Sequence, residues 1–229
     1  MQAVANDPAV IDADQLGAIA AKLAVSKAFA ADGKVPNDLA DSARTRAAAA
    51  LAKRVDPYVR SGIVGSAASI YSTIGDTDAE YAMFKGELAT ARAPYYYMAD
   101  LGGLEEDRGN KAAALAWFER AYRESRGAAT RFQWGSSYLG ALLRLAPTDT
   151  TRIRATGISV IDELDGPQRI QARTRRGLDK LEARLRIWNE SHEHERETVI
   201  QTLRTRMHGV CTKLAPSDGG LVSCRKFLT

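Results

Sequence analysis

Few residues in this 229-residue chain are of types that react on their own: three histidines and two cysteines. Cys211 and Cys224 flank Ala215-Pro216-Ser217-Asp218-Gly219-Gly220, a reversal loop able to return the tail onto the helix before it. There is no Cys-x-x-Cys, so neither a thioredoxin-type redox centre nor a zinc knuckle is available. The pair reads as a structural disulfide holding Val222 and Phe227 against the preceding helix; the alternative is two unrelated buried thiols. A bond closing so short a loop contributes about 3 kcal/mol on chain-entropy reasoning, and it implies an oxidising compartment. His192-Glu193-His194-Glu195 has metal-binding residue types. On a helix, however, histidines two apart point to different sides, and the segment reads as a charged turn rather than a metal site. His-Glu-x-x-His, Gly-x-Ser-x-Gly, phosphate-loop and dinucleotide fingerprints are all missing. No cofactor is expected, and this chain alone is not expected to be an enzyme. The competing class is an enzyme whose site is assembled from scattered residues.

Other residues suit binding better than reaction. Tyr95-Tyr96-Tyr97-Met98 and Arg131-Phe132-Gln133-Trp134 fall on the first helices of successive helical pairs. Consecutive helical residues diverge by about 100°, so one or two of the three tyrosines at most enter a core. Tyr96, Arg131 and Trp134 therefore form the candidate binding set, an aromatic and basic groove for a polypeptide, with packing between helical units as the competing reading. A basic run, Arg169, Arg173, Arg175, Arg176, Lys180, Arg184 and Arg186, is the third candidate. It could contact nucleic acid phosphates, but no aromatic residue is interleaved for base stacking, and Asp179 and Glu182 interrupt it. A basic nucleic-acid-binding helical protein is thus a further alternative, and nucleic acid is not the expected partner.

The net charge of +4 hides an asymmetry that places this run. Residues 1–110 carry 11 Lys+Arg against 15 Asp+Glu, whereas residues 111–229 carry 21 against 13. A basic half can attract acidic partners, although Arg-rich solvated helix faces give the same balance. A hydrophobic content of 45% with 26% charged residues is that of a globular domain rather than a disordered tail. No apolar run approaches the roughly 18 residues that a membrane span requires. The opening residues lack a basic segment followed by an apolar stretch and read as an interdomain boundary, with residues 1–11 as a linker.

The elements that must position these residues are helical throughout, with no alternating strand pattern. Helices are expected over Asp12–Ala31, Asn37 to about Arg54, Gly62–Ile74 and Thr77–Ala91, the last capped by Thr77 with Glu80 in a capping box. Ala128–Leu145 and Asp149–Leu164 form a further pair about Ala146-Pro147. After Gly166-Pro167, Leu178, Leu181, Leu185 and Trp188 make one apolar stripe, and Ile200, Leu203, Met207, Val210 and Leu214 another. Two stripes joined by a polar turn predict an antiparallel hairpin.

Met98–Arg126 resembles one tetratricopeptide repeat. Leu101-Gly102 supplies the Leu-Gly pair of its first helix, Gly109 the turn, and Ala114, Phe118 and Ala121 the small–aromatic–small face of its second. Gly102 and Ala114 are small where the helices cross, while Phe118 fills the groove toward the next unit. Ala82, Gly86 and Ala89 repeat the pattern 32 residues earlier, and 128–164 is a degenerate third unit. The expected fold is all-α: a tetratricopeptide-like superhelix over 12–167, its best repeat at 94–126, capped by a helical hairpin and stapled tail over 168–229.

Longer segments carry a second resemblance. Leu23-Ala24-Val25-Ser26-Lys27-Ala28-Phe29-Ala30-Ala31-Asp32-Gly33, Pro94–Leu101, Ala121-Tyr122-Arg123-Glu124-Ser125, Thr130–Gly135, Leu164–Pro167 and the terminal Cys211, Cys224 and Phe227-Leu228 are similar to the carboxy-terminal helical region of exported bacterial thioredoxin-family proteins. That resemblance implies a periplasmic or envelope location. It also implies an accessory role beside thiol–disulfide chemistry, with a polypeptide or an adjacent thioredoxin-like domain as partner. It transfers no catalytic residue, because the family's redox cysteines lie in a domain outside these segments.

Overall fold

The computed structural model describes residues 4, 5, 7, 10–166 and 170–229. Pro167 and Arg169, and most of the expected 1–11 linker, lie outside the described residues. Eleven helices are present among the described residues, and no strand. The chain forms two compact units, Met1–Tyr97 and Met98–Thr229. They part within the first turn of a helix rather than at residue 167.

The first unit holds α1 (Asp12–Phe29), α2 (Asn37–Leu51), α3 (Pro57–Ile74) and α4 (Thr77–Glu87). α3 is its centre and packs on the other three. It begins five residues earlier than its apolar pattern announces, because Pro57 presets the first turn and the Asp56 carboxylate accepts from Tyr58 N at 2.8 Å. It ends at Gly75, whose φ of 77° is accessible to glycine at little cost. The cap of α4 is Asp76, accepting from Ala79 N, and not Thr77 with Glu80. The short carboxylate directly after the Gly75 turn reaches the free amides first. Leu16, Leu23, Ile63 and Ile70 form the core with the alanines of α2.

In the second unit, α5 (Tyr95–Asp107) and α6 (Lys111–Glu124) turn at Gly109, φ 77°. Leu101 is fully buried and Phe118 nearly so. A Cβ on Gly102 would lie 3.1 Å from the Phe118 ring. Phe118 therefore lies on the Gly102 backbone, where the two helices of the pair cross. α7 (Ala128–Leu145) and α8 (Thr150–Asp162) follow, the latter capped by Asp149.

The apolar stripes of α9 (Ala172–Glu190) and α10 (Glu197–Cys211) are buried, but chiefly against α7 and α8 and little against each other. The reason is steric. Gly177 admits the Phe132 ring of α7, and Gly157 of α8 admits Leu203 of α10. Indole Nε1 of Trp188 donates to the Pro147 carbonyl at 3.0 Å, and Arg206 and Lys213 reach Asp165 at 2.8 Å. Residues 170–229 thus pack as a second layer on the α7–α8 pair.

The tail helix α11 (Leu221–Lys226) returns onto α10 and is bonded to it by Cys211–Cys224. Phe227 is buried, whereas Val222 is 62% exposed. Val222 and Cys224 are two residues apart on one helix turn, so an inward Cys224 sends Val222 to solvent. Buried Asp218 fixes the intervening loop by accepting from Gly220 N at 2.7 Å and Ile170 N at 3.3 Å.

Candidate functional site

The residues singled out for a groove differ in their surroundings. Trp134 is 8% exposed and belongs to the core of the second unit. Arg131 donates from Nε to Glu163 Oε1 at 2.8 Å, and its guanidinium lies 4.9 Å from the Tyr122 ring centroid. The Tyr122 hydroxyl meets Ser159 at 2.8 Å and Glu163 at 3.1 Å, and burial pushes its pKa upward. This cluster ties α6, α7 and α8 together, which leaves Arg131 engaged by its own chain. Tyr96 is 45% exposed and belongs to the first unit. An aromatic groove therefore loses two of its three members to packing, since buried Trp and stacked Arg serve a core as well as a surface.

His192 and His194 are held in the turn between α9 and α10. Nδ1 of His192 is 2.7 Å from the Trp188 carbonyl, and that of His194 is 3.3 Å from the Asn189 amide. Among the described residues no group of three or more His, Cys, Asp or Glu is arranged to hold a metal ion.

One feature with room for a ligand is a cleft of about 460 Å³ between α7 and α9. Its α9 wall carries Arg173, Arg176, Lys180 and Arg184; its α7 wall presents Thr130, Gln133, Ser136 and Ser137. The cations recur at intervals of three, four and four residues, which returns nearly the same helical direction each time. They thus form one line, about 16 Å long at 1.5 Å per residue. Asp179 and Glu182 do not break it. Each lies about 100° or more around the helix from the line, and Glu182 pairs with Arg186. Arg175, also off the line, donates to the Gly219 carbonyl at 2.9 Å. Among the described residues, no carboxylate pairs with any of the four aligned cations.

Two glycines set the register of the walls. Gly177 lies at Phe132, and Gly140 lies at Arg184, whose Nη1 would be 2.8 Å from an added Cβ. Moving from 132 to 140 on α7 therefore matches moving from 177 to 184 on α9, so the helices run parallel. Ser136 falls halfway, level with Lys180. Its hydroxyl is buried, 9% of the residue being exposed, and Oγ makes no hydrogen bond among the described residues. A buried hydroxyl left unmade costs about 1–3 kcal/mol, so this one gains from any acceptor that a turn of its side chain toward the cleft brings within reach.

The cations of this cleft were visible in the sequence, but reading them as one continuous run hid their arrangement. Their 3-4-4 spacing was the usable signal. The α7 wall had none, because nothing in residues 128–145 announces which helix will cover Ser136. The cleft holds hydrogen-bond donors and positive charge, which suits binding an anionic or polar ligand. No helix among the described residues is long and apolar enough to cross a membrane. Comparison with protein-family models, with curated proteins and with solved structures finds no match to this chain.

Proposed function

We propose that this chain is a non-catalytic helical interaction module that binds a polypeptide, with the cleft between α7 and α9 as its seat. The observation that carries this reading is the cleft itself: an open trough between two parallel helices, lined by donors along its length. A trough of this form suits a chain-like ligand better than a compact one. The helix pair at 94–126 is read as a tetratricopeptide-like unit on the Leu101-Gly102, Gly109, Ala114, Phe118 and Ala121 pattern, and α7–α8 as its degenerate successor. The resemblance to helical regions of exported thioredoxin-family proteins supports a periplasmic or envelope location and an accessory role in thiol–disulfide chemistry. The Cys211–Cys224 bond is compatible with such an oxidising compartment.

The test is a titration of a fluorescein-labelled pool of random 12-residue peptides into the wild-type chain, a Thr174→Trp variant that fills the cleft, and a Tyr96→Ala variant. Binding that disappears in Thr174→Trp and persists in Tyr96→Ala is the expected result. Binding indifferent to Thr174→Trp, or catalytic reduction of insulin by the isolated chain, would overturn the proposal.

A further inference from the structure

We infer that the α7–α9 cleft is an anion site for an acidic peptide held in extended form, with carboxylates at alternate positions meeting Arg176, Lys180 and Arg184. This rests on the reading of the cleft as a polypeptide seat and names the chemistry of its ligand.

Charge is the first support. At least fourteen ion pairs link cations to carboxylates elsewhere among the described residues. The four residues of the α9 line stay outside that pattern, although the same helix pairs Arg186 with Glu182. Like charges one turn apart on a helix repel. A line of four is tolerated on an exposed face, and an arriving anion relieves the repulsion. Charges spread over about 16 Å exceed one Debye length, about 8 Å at physiological ionic strength, so no single small anion neutralises the line. A ligand with several spaced charges does.

Spacing is the second. Successive cations from Arg176 to Lys180 to Arg184 are four residues apart, about 6 Å of rise along the helix axis. An extended peptide advances about 3.3 Å per residue and alternates sides, so its same-side groups recur every 6.5–7 Å. Glu-x-Glu-x-Glu therefore keeps step with the line over three contacts, whereas consecutive glutamates direct half their charge away.

Ser136 is the third and independent support. Its buried, unpartnered Oγ lies level with Lys180, at the middle of the line, and a turn about χ1 toward the cleft lets it donate to the central carboxylate while Gln133 and Thr130 offer further polar contacts. A nucleic acid strand has phosphates at comparable spacing but gains affinity by stacking its bases. The aromatic residue here, Phe132, is 2% exposed behind Gly177 and offers no face. The acidic peptide is the ligand these residues favour.

The experiment is fluorescence-anisotropy titration of the intact chain with three labelled, end-capped hexapeptides at 50 and 150 mM salt. One alternates Glu and Ala, one alternates Gln and Ala, and one has three Glu followed by three Ala; a hexathymidylate strand is the fourth probe. Alternating Glu-Ala should bind at least tenfold tighter than alternating Gln-Ala and several-fold tighter than the blocked sequence, weakening markedly at the higher salt. Arg176→Gln/Lys180→Gln should lose at least tenfold, and Ser136→Ala about three- to tenfold. Arg154→Gln/Arg186→Gln removes the same charge away from the cleft and should change affinity less than twofold. Equal loss in the two double variants would show unspecific attraction and overturn the inference. Tighter binding of hexathymidylate would overturn it in favour of nucleic acid. If alternating Gln-Ala binds as well as Glu-Ala and Thr174→Trp abolishes both, the acidic assignment fails while the peptide seat stands. If neither peptide binds, both fall.

Discussion

Replacing Gly157 by alanine probes the packing that holds the outer layer in place. Ordinarily the change is favourable, since alanine exceeds glycine in helix propensity by about 1 kcal/mol. Here a Cβ on residue 157 would lie 2.7 Å from Leu203 Cδ2 and 3.0 Å from Cδ1, closer than real methyl contacts come. Leu203 is fully buried, so it has no solvent side to swing toward. Overpacking of this kind costs about 1–3 kcal/mol and outweighs the propensity gain. We expect a net loss of about 1–2 kcal/mol on those terms. Leu203→Ala alone should cost about 2–5 kcal/mol as a core truncation. In that background the clash is gone, and Gly157→Ala should stabilise by up to about 1 kcal/mol. The sign of the effect reverses between the two backgrounds. Urea unfolding of the four proteins, compared at a common m value, measures it. A Gly157→Ala effect of the same sign and size in both backgrounds would refute the α8–α10 crossing described here.

Two further outcomes follow from the second unit. Cys211→Ser/Cys224→Ser opens a loop spanning a sequence separation of 13, and should lower stability by about 3 kcal/mol on the chain-entropy model, read as a shift in urea midpoint. Arg144 grips Glu106 with two hydrogen bonds, at 2.9 and 2.8 Å, and the bond to Arg144 holds the Glu106 carboxyl below its ordinary range. A depressed carboxyl contributes stability above its unfolded pKa, near 4.3, and loses it as pH falls through the lower folded value. Arg144→Ala should therefore cost about 0.5–1 kcal/mol at pH 7, the pair being half open to solvent, and progressively less as pH falls below 4; a pH-independent cost would rule out the ion pair as its source.

The helices were legible because each buries a stripe at helical spacing, and Leu178-Leu181-Leu185-Trp188 shows that stripe without ambiguity. Gly109 and the Pro216–Gly220 loop were legible because their residue types narrow the backbone choices. What those stripes pack against was not. The α9 and α10 stripes read equally well as partners of each other or of α7 and α8, and Gly177 and Gly157 decide the matter through contacts to Phe132 and Leu203 that lie far off in sequence. Trp134 and Arg131 illustrate a different limit. Indole and guanidinium both suit surfaces and interiors, and only the placement of Glu163 and Tyr122 beside Arg131 assigns it to structure. The cation line is the opposite case, a surface pattern present in the residue spacing but obscured by Arg175, Arg186, Asp179 and Glu182 written between its members.

The most direct test of the account is to map where the acidic peptide binds. Backbone amide chemical shifts of the labelled chain should be followed during titration with the alternating Glu-Ala hexapeptide. The account predicts saturable shifts concentrated in residues 129–137 of α7 and 171–184 of α9, with the first unit unaffected. Shifts centred on Tyr96 and the first unit with α9 unaffected, or scattered over basic side chains in proportion to their exposure, would contradict it.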